Sequence, residues 1–159
     1  MANSEIVVMK QIESEYEVEI LRTLRNECRN FMTRHTNVIS KEQQLNWWNK
    51  LDKDKHKLFL LQKVLDGVVG VTIGYGYVRV ENGEVLLTGG LSDNERGKGH
   101  GTQLFKYMVE YAKQFNLPIK LELLKTNTRA FTVYNSIGFR VIGDDGQNIY
   151  MEYYYDSVI

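Results

Sequence analysis

The residues best placed to do chemistry lie in the stretch Leu91-Ser92-Asp93-Asn94-Glu95-Arg96-Gly97-Lys98-Gly99-His100-Gly101-Thr102. An apolar run ending near Leu87 passes through Gly89 and Gly90 into this polar turn, and an amphipathic segment from Gln103 to Phe115 follows. The order is strand, exposed loop, helix N-terminus. Glycines at 97, 99 and 101 leave backbone N–H groups unshielded, and a helix start adds roughly half a positive charge. Such a construction suits a phosphate or diphosphate, and Arg96 and Lys98 can add side-chain charge there. The Walker spacing is absent, and so is Gly-x-Gly-x-x-Gly, because Thr102 and Leu104 stand three residues after Gly99 and Gly101.

The elements that must hold this loop are legible from patterning. The 159 residues fit one domain spanning 1–159, and 20 basic against 20 acidic residues give no net charge to draw the chain to nucleic acid or an anionic membrane. The single cysteine, Cys28, excludes an intramolecular disulfide framework and suits a reducing cytoplasm. No apolar leader and no run of 18 apolar residues is present, so a soluble cytoplasmic protein is expected.

A short strand is predicted over Ile6–Met9, and a helix from Glu17 to Met32 on the spacing of Ile20, Leu21, Leu24, Cys28, Phe31 and Met32. Arg22, Arg25 and Arg29 stripe that helix, either as a solvated face paired with Glu19 and Glu27 or facing an acidic or phosphorylated substrate. Ser40-x-x-Gln43 is a capping box opening a second helix, with Leu45, Trp48 and Leu51 or Trp47 as its apolar side. Neighbouring tryptophans point about 100° apart, so Trp47 and Trp48 are both core, or one of them lines a pocket. Strands over Leu58–Val64, Val68–Val80 and Val85–Leu91 are joined by Asp66-Gly67 and Asn82-Gly83 as an antiparallel meander. The strand Ile119–Leu124 lies parallel to the one before the loop, because a helix crosses between them. A helix over 127–137 ends at Gly138, and a hairpin of Phe139–Ile142 and Ile149–Tyr155 closes the chain.

Two motifs then coincide. Arg96-x-x-Gly99-x-Gly101 resembles the acyl-coenzyme A loop of GNAT superfamily N-acetyltransferases, Gln/Arg-x-x-Gly-x-Gly/Ala. Leu121-Glu122-Leu123, followed by Asn127, Ala130, Tyr134, Gly138 and Phe139 in register, resembles the family's next strand and helix. The likeness covers roughly residues 58–143, and the first two helices match only in general character. It implies a mixed α/β GNAT fold: a mostly antiparallel sheet with a central parallel, splayed strand pair and helices on both faces.

It further implies acetyl-CoA as co-substrate, held by Leu91, Arg96, Gly97, Lys98, Gly99, His100, Gly101, Thr102, Asn127 and Tyr134, with the amide of Leu91 as oxyanion donor. Tyr134 takes the place of the family's general acid, the alternative being a helix tyrosine packed on Phe131 and Phe139. Glu122 takes the place of a base used by some members, the alternative being a strand glutamate paired with Lys120 or Lys125; Asp93 and Glu84 are weaker candidates. His35, His56 and His100 show no metal spacing.

The implied reaction is direct transfer of acetyl to a primary amine, a small molecule or a peptide. Arg25, Arg29, Trp47, Trp48 and the tyrosines from Tyr150 to Tyr155 are candidate acceptor contacts. A loose likeness to members acting on nucleotide-linked amino sugars makes an amino sugar one candidate acceptor. The rivals are a non-catalytic acyl-CoA sensor or partner-binding module on the same fold, and an ATP-binding regulator. The sequence leaves open whether the protein is a homodimer.

Overall fold

The computed structural model describes residues 5–33 and 37–155. Seven strands form one sheet: β1 (Glu5–Gln11), β2 (His56–Leu65), β3 (Val68–Glu81), β4 (Glu84–Leu91), β5 (Ile119–Leu124), β6 (Phe139–Asp144) and β7 (Asn148–Tyr153), in the order β1-β2-β3-β4-β5-β7-β6. All neighbours are antiparallel except β4 and β5. Four α-helices, α1 (Glu15–Glu27), α2 (Lys41–Lys50), α3 (His100–Ala112) and α4 (Thr128–Ile137), cover the two faces.

Local chemistry explains the boundaries. Ser14 and Glu17 form a capping box that starts α1, and Ser40 with Gln43 forms the one expected for α2. Both hairpin turns carry positive φ at two successive residues, Asp66 and Gly67, then Asn82 and Gly83, the twist-matching turn of tight hairpins. Gly138, at φ 128°, caps α4 where expected.

Two helix boundaries differ from the sequence reading. The first helix does not run to Met32: it ends at Glu27 and tightens into a 3-10 turn over Arg29–Phe31, closed by the Phe31 amide on the Cys28 carbonyl at 2.9 Å. The apolar spacing that suggested more helix serves a cavity instead, since Phe31 and Met32 line it. Helix α3 begins at His100, not Gln103, because Gly99 at φ 88° is itself the N-cap. In α2 the buried residue is Gln44, at 1% exposure, while Trp47, Trp48 and Leu51 are half-buried against the core.

Alternation along the strands builds two cores. Phe59, Val85, Leu87, Leu121 and Leu123 meet Leu104, Met108 and Tyr134 of α3 and α4 on one face. Leu58, Leu60 and Tyr75 meet Val18, Leu21 and Leu24 of α1 on the other. Glycines let the layers approach. A Cβ on Gly74 would lie 2.8 Å from both the Gly90 carbonyl oxygen and Leu91 Cδ2, and one on Gly90 would lie 2.7 Å from Cys28 Sγ. Because backbone cannot yield as a flexible side chain does, Gly74→Ala is expected to destabilise the fold by about 1–3 kcal/mol, measured by denaturant unfolding.

Candidate active site

The parallel pair β4–β5 is joined at only two positions, Val85–Ile119 and Leu86–Lys120, with the Val85 amide donating to the Pro118 carbonyl at 2.8 Å. Both strands then continue, to Leu91 and to Leu124, without pairing. The ladder phase says which backbone groups this leaves unmet. The Ser92 amide donates to the Ile73 carbonyl at 2.8 Å, so on β4 the residues that bond β3 are Leu86, Thr88 and Gly90. Leu87, Gly89 and Leu91 therefore turn their amides and carbonyls toward β5. By the same logic the Lys125 amide on the Gln147 carbonyl sets β5 so that Glu122 and Leu124 turn theirs toward β4.

This breach opens a cavity of about 1090 Å³ that passes from one face of the sheet to the other, at the large end of the roughly 300–1,000 Å³ usual for small-molecule sites. On the α3–α4 side it is lined by Gly101, Leu104, Phe105, Asn127, Arg129 and Tyr134. On the α1–α2 side it is lined by Arg25, Cys28, Trp47, Tyr77, Arg79 and Glu122.

At the mouth lies the N-terminus of α3. Gly97 and Gly99 hold φ of 79° and 88°, which only glycine adopts cheaply. Gly99 supplies no side-chain cap, so the first-turn amides of His100, Gly101 and Thr102 have no intrahelical partner. A Cβ on Gly101 would stand 3.8 Å from Leu91 Cδ1, so the uncapped amides adjoin the end of β4. The loop is tied to β2 through Glu95, which accepts from Lys63 Nζ at 2.9 Å, with Lys98 Nζ at 3.7 Å and His100 Nε2 at 3.6 Å. The Lys63 hydrogen bond holds the Glu95 carboxyl below its ordinary pKa.

Arg96 does not add its charge to the loop. Its guanidinium pairs with Asp93, donates to the Leu91 carbonyl at 3.0 Å, lies 3.6 Å from Cys28 Sγ and stacks 4.6 Å over the Phe31 ring. The Asp93 carboxylate and the end of β4 outcompete solvent for it. Cys28 also bonds the Leu91 carbonyl, at 3.3 Å, and burial pushes its thiol pKa up, away from nucleophilic chemistry at neutral pH.

Tyr134 is buried, at 9% exposure, with its ring centre 4.6 Å from that of Phe105 and 6.1 Å from that of Phe139. Burial raises its pKa, and Tyr75 adds to that, so the phenol stays protonated and keeps a proton to donate. Glu122 lines the cavity and accepts from Thr33 Oγ1 at 2.6 Å. Glu84 and Asp93 also line it, but each carries a cation, Lys120 at 2.7 Å and Arg96. Asn127 caps α4, its Oδ1 accepting the Ala130 amide at 3.2 Å, which leaves its Nδ2 group as the donor.

Of the residues singled out in the sequence, Leu91, Arg96, Gly101, Glu122, Asn127, Tyr134, Arg25 and Trp47 line the cavity. Lys98, Gly99 and His100 face a separate shallow hollow with Ile6, Val7 and Gln103. Arg29 is exposed on its 3-10 turn, and Trp48 sits outside the cavity with Lys53 Nζ 4.3 Å from its ring centre. Among the C-terminal tyrosines only Tyr150 reaches the cavity, its hydroxyl donating to Asp145 at 2.7 Å. His35 lies outside the described residues.

The profile described as the acetyltransferase (GNAT) family matches residues 18–139. The chain belongs to the GNAT acetyltransferase family. No curated protein gave a significant sequence match. Solved GNAT-like folds superpose well at low identity. A domain from Methanocaldococcus jannaschii has TM-score 0.81 and 14% identity, covering 94% of this chain and 98% of that one. The yncA protein of Salmonella typhimurium, solved with its cofactor acetyl-CoA, has TM-score 0.72 and 15% identity over 96% and 95% of the two chains. A ribosomal-protein-alanine N-acetyltransferase from Brucella melitensis has TM-score 0.72 and 16% identity over 93% and 99%.

The GNAT frame makes sense of residues that the motifs did not name. Arg129, in the first turn of α4, lies against Gly97, its guanidinium 3.8 Å from where a Cβ would stand, so a second cation borders the uncapped amides. Arg79 and Cys28 reach the cavity only because strand register and the early end of α1 bring them there. Folding lowers the Glu95 pKa, so its ion pair stabilises above pH 4.5 and loses that contribution as pH falls through the lower folded value. Accordingly, the melting temperature of Glu95→Gln should lie below wild type at pH 7, and the gap should begin to narrow only below pH 4.5 and close once the pH has fallen through the lower folded value.

Proposed function

We propose that this GNAT acetyltransferase moves the acetyl group of acetyl-CoA directly to a primary amine, within a ternary complex. The observation that carries this reading is the breach between β4 and β5. It leaves the Leu91 amide without a backbone partner among the described residues, beside an uncapped helix N-terminus. A sheet amide left unpaired on a cavity wall is open to a hydrogen-bond acceptor. An extended pantetheine arm lying along β4 supplies acceptors for Gly89 and Leu91, and its diphosphate rests on the first-turn amides of α3 near Arg129.

The residues then divide the work. The Leu91 amide donates to the thioester oxygen as negative charge grows there; an oxyanion donor of this kind is typically worth about 2.7–4 kcal/mol. An amine of pKa near 10.4 is almost wholly protonated at pH 7, and freeing it costs roughly 4–5 kcal/mol. Glu122, directly or through a water, takes that proton. The amine nitrogen attacks the carbonyl carbon, the carbon–sulfur bond breaks, and the departing sulfur takes a proton from Tyr134, while the proton that the nitrogen sheds on becoming the amide passes to water and the phenol regains its own from water. Placing Glu122 and Tyr134 on opposite sheet faces, across the breach, keeps the proton acceptor with the amine and the donor with the sulfur.

Tyr134→Phe keeps the ring packing on Phe105 while removing the hydroxyl. It is expected to lower kcat by about 10²–10⁴-fold while coenzyme A still binds, measured by thiol release with an amine panel and by calorimetry. Coenzyme A binding without turnover of any amine by the wild type would instead favour an acyl-CoA sensor.

A further inference from the structure

Two guanidinium groups on the α1–α2 side of the cavity are less closely neutralised than their neighbours: Arg25 has no carboxylate partner among the described residues, and Arg79 has only a long ion pair, to Glu81. Arg25 donates Nη1 to Gln44 Oε1 at 3.1 Å and lies 5.5 Å from the centre of the Trp47 ring, and no described carboxylate pairs with it. Arg79 lies 5.7 Å from the Tyr77 ring centre. Its Nε is buried without a hydrogen bond, and Glu81, at 3.7 Å, stands beyond hydrogen-bond reach. Trp47 and Tyr77 meet edge to face at 5.6 Å, so the two cations flank one aromatic pair inside the cavity.

The contrast with the rest of the lining is informative. Lys120 is neutralised by Glu84 at 2.7 Å and Arg96 by Asp93. Arg25 is held away from water, which pushes its pKa down, and a desolvated charge without a partner is unfavourable. Gln44, buried at 1% exposure beneath it, fixes the fork by one oxygen while its own Nε2 goes unpartnered. Two such forks in one cavity suit an oxoanion, since guanidinium matches carboxylate and phosphate geometry.

Resting on the acetyl-transfer reading, we infer that the acceptor is an acidic amine, its oxoanion held between Arg25 and Arg79 and its amino group toward Glu122 and the end of β4. The aromatic pair supplies a flat apolar wall between the two charges.

The test titrates the coenzyme A-saturated protein by calorimetry with the common amino acids, their carboxamides, and 3-aminopropylphosphonate beside 4-aminobutyrate. At least one acid should bind about tenfold or more tightly than its carboxamide, the effect of a hydrogen bond to a charged group. Arg25→Gln and Arg79→Gln should each shrink that preference, and Arg25→Lys should restore part of it, with coenzyme A affinity unchanged throughout. The phosphonate arm separates a carboxylate receptor from a phosphate-type one. Equal binding of acid and carboxamide, no binding of any acid, or a preference that survives both glutamine variants overturns the inference. Failure of coenzyme A itself to bind is a different result and sinks the acetyl-transfer reading instead.

Discussion

Everything functional in this chain follows from one constraint: two parallel strands that pair for two residues and then part. A sheet satisfies its backbone by neighbour-to-neighbour bonds, and β4 and β5 forgo them beyond Leu86 and Lys120. The amides of Gly89 and Leu91 that this leaves unpaired among the described residues turn the middle of the sheet from a wall into a surface open to a hydrogen-bond acceptor. The breach also joins the two faces, so a co-substrate and an acceptor can meet from opposite sides without either threading past the other.

The rest of the fold holds that breach open. Gly76 and Gly89 let α3 press on the strands that flank it, Gly90 does so for the end of α1, and Gly74 leaves room for the end of β4. Arg96 and Cys28 together satisfy the Leu91 carbonyl, so the end of β4 is anchored through its carbonyl while its amide stays available. The Lys63–Glu95 pair does the same for the loop, fixing it to β2 through side chains and sparing the first-turn amides of α3. Charge is distributed accordingly. Uncapped amides and Arg129 border the loop, close ion pairs line the breach, and Arg25, without a carboxylate partner among the described residues, stands with Arg79 on the α1–α2 side.

What the sequence made legible was what rests on local rules. Glycines in turns, two hairpins, the capping box at Ser40 and the α4 motif each depend on a few neighbouring residues, and all of these appear where spacing put them. The central pair and its crossing helix followed from topology. The sequence reading failed where three-dimensional competition decides. Nothing local says that α1 tightens at Cys28 so that Phe31 can lie under Arg96, or that Cys28 comes within 3.6 Å of that guanidinium at the end of β4. Gln44 in place of Leu45 as the buried residue of α2 is set by a hydrogen bond to Arg25 from another helix. Arg79 reads as an ordinary strand arginine until register places it beside Tyr77, and Arg129 as a helix surface charge until α4 docks against Gly97.

The most direct test is residue-resolved amide hydrogen exchange of the full chain with and without acetyl-CoA. The account predicts that the amides of Gly89 and Leu91 exchange much faster than those of Leu86, Thr88 and Gly90 in the free protein, and become strongly protected when acetyl-CoA is added. If Gly89 and Leu91 are already protected in the free protein, or unaffected by saturating acetyl-CoA, the breach is not the binding surface and the account is wrong.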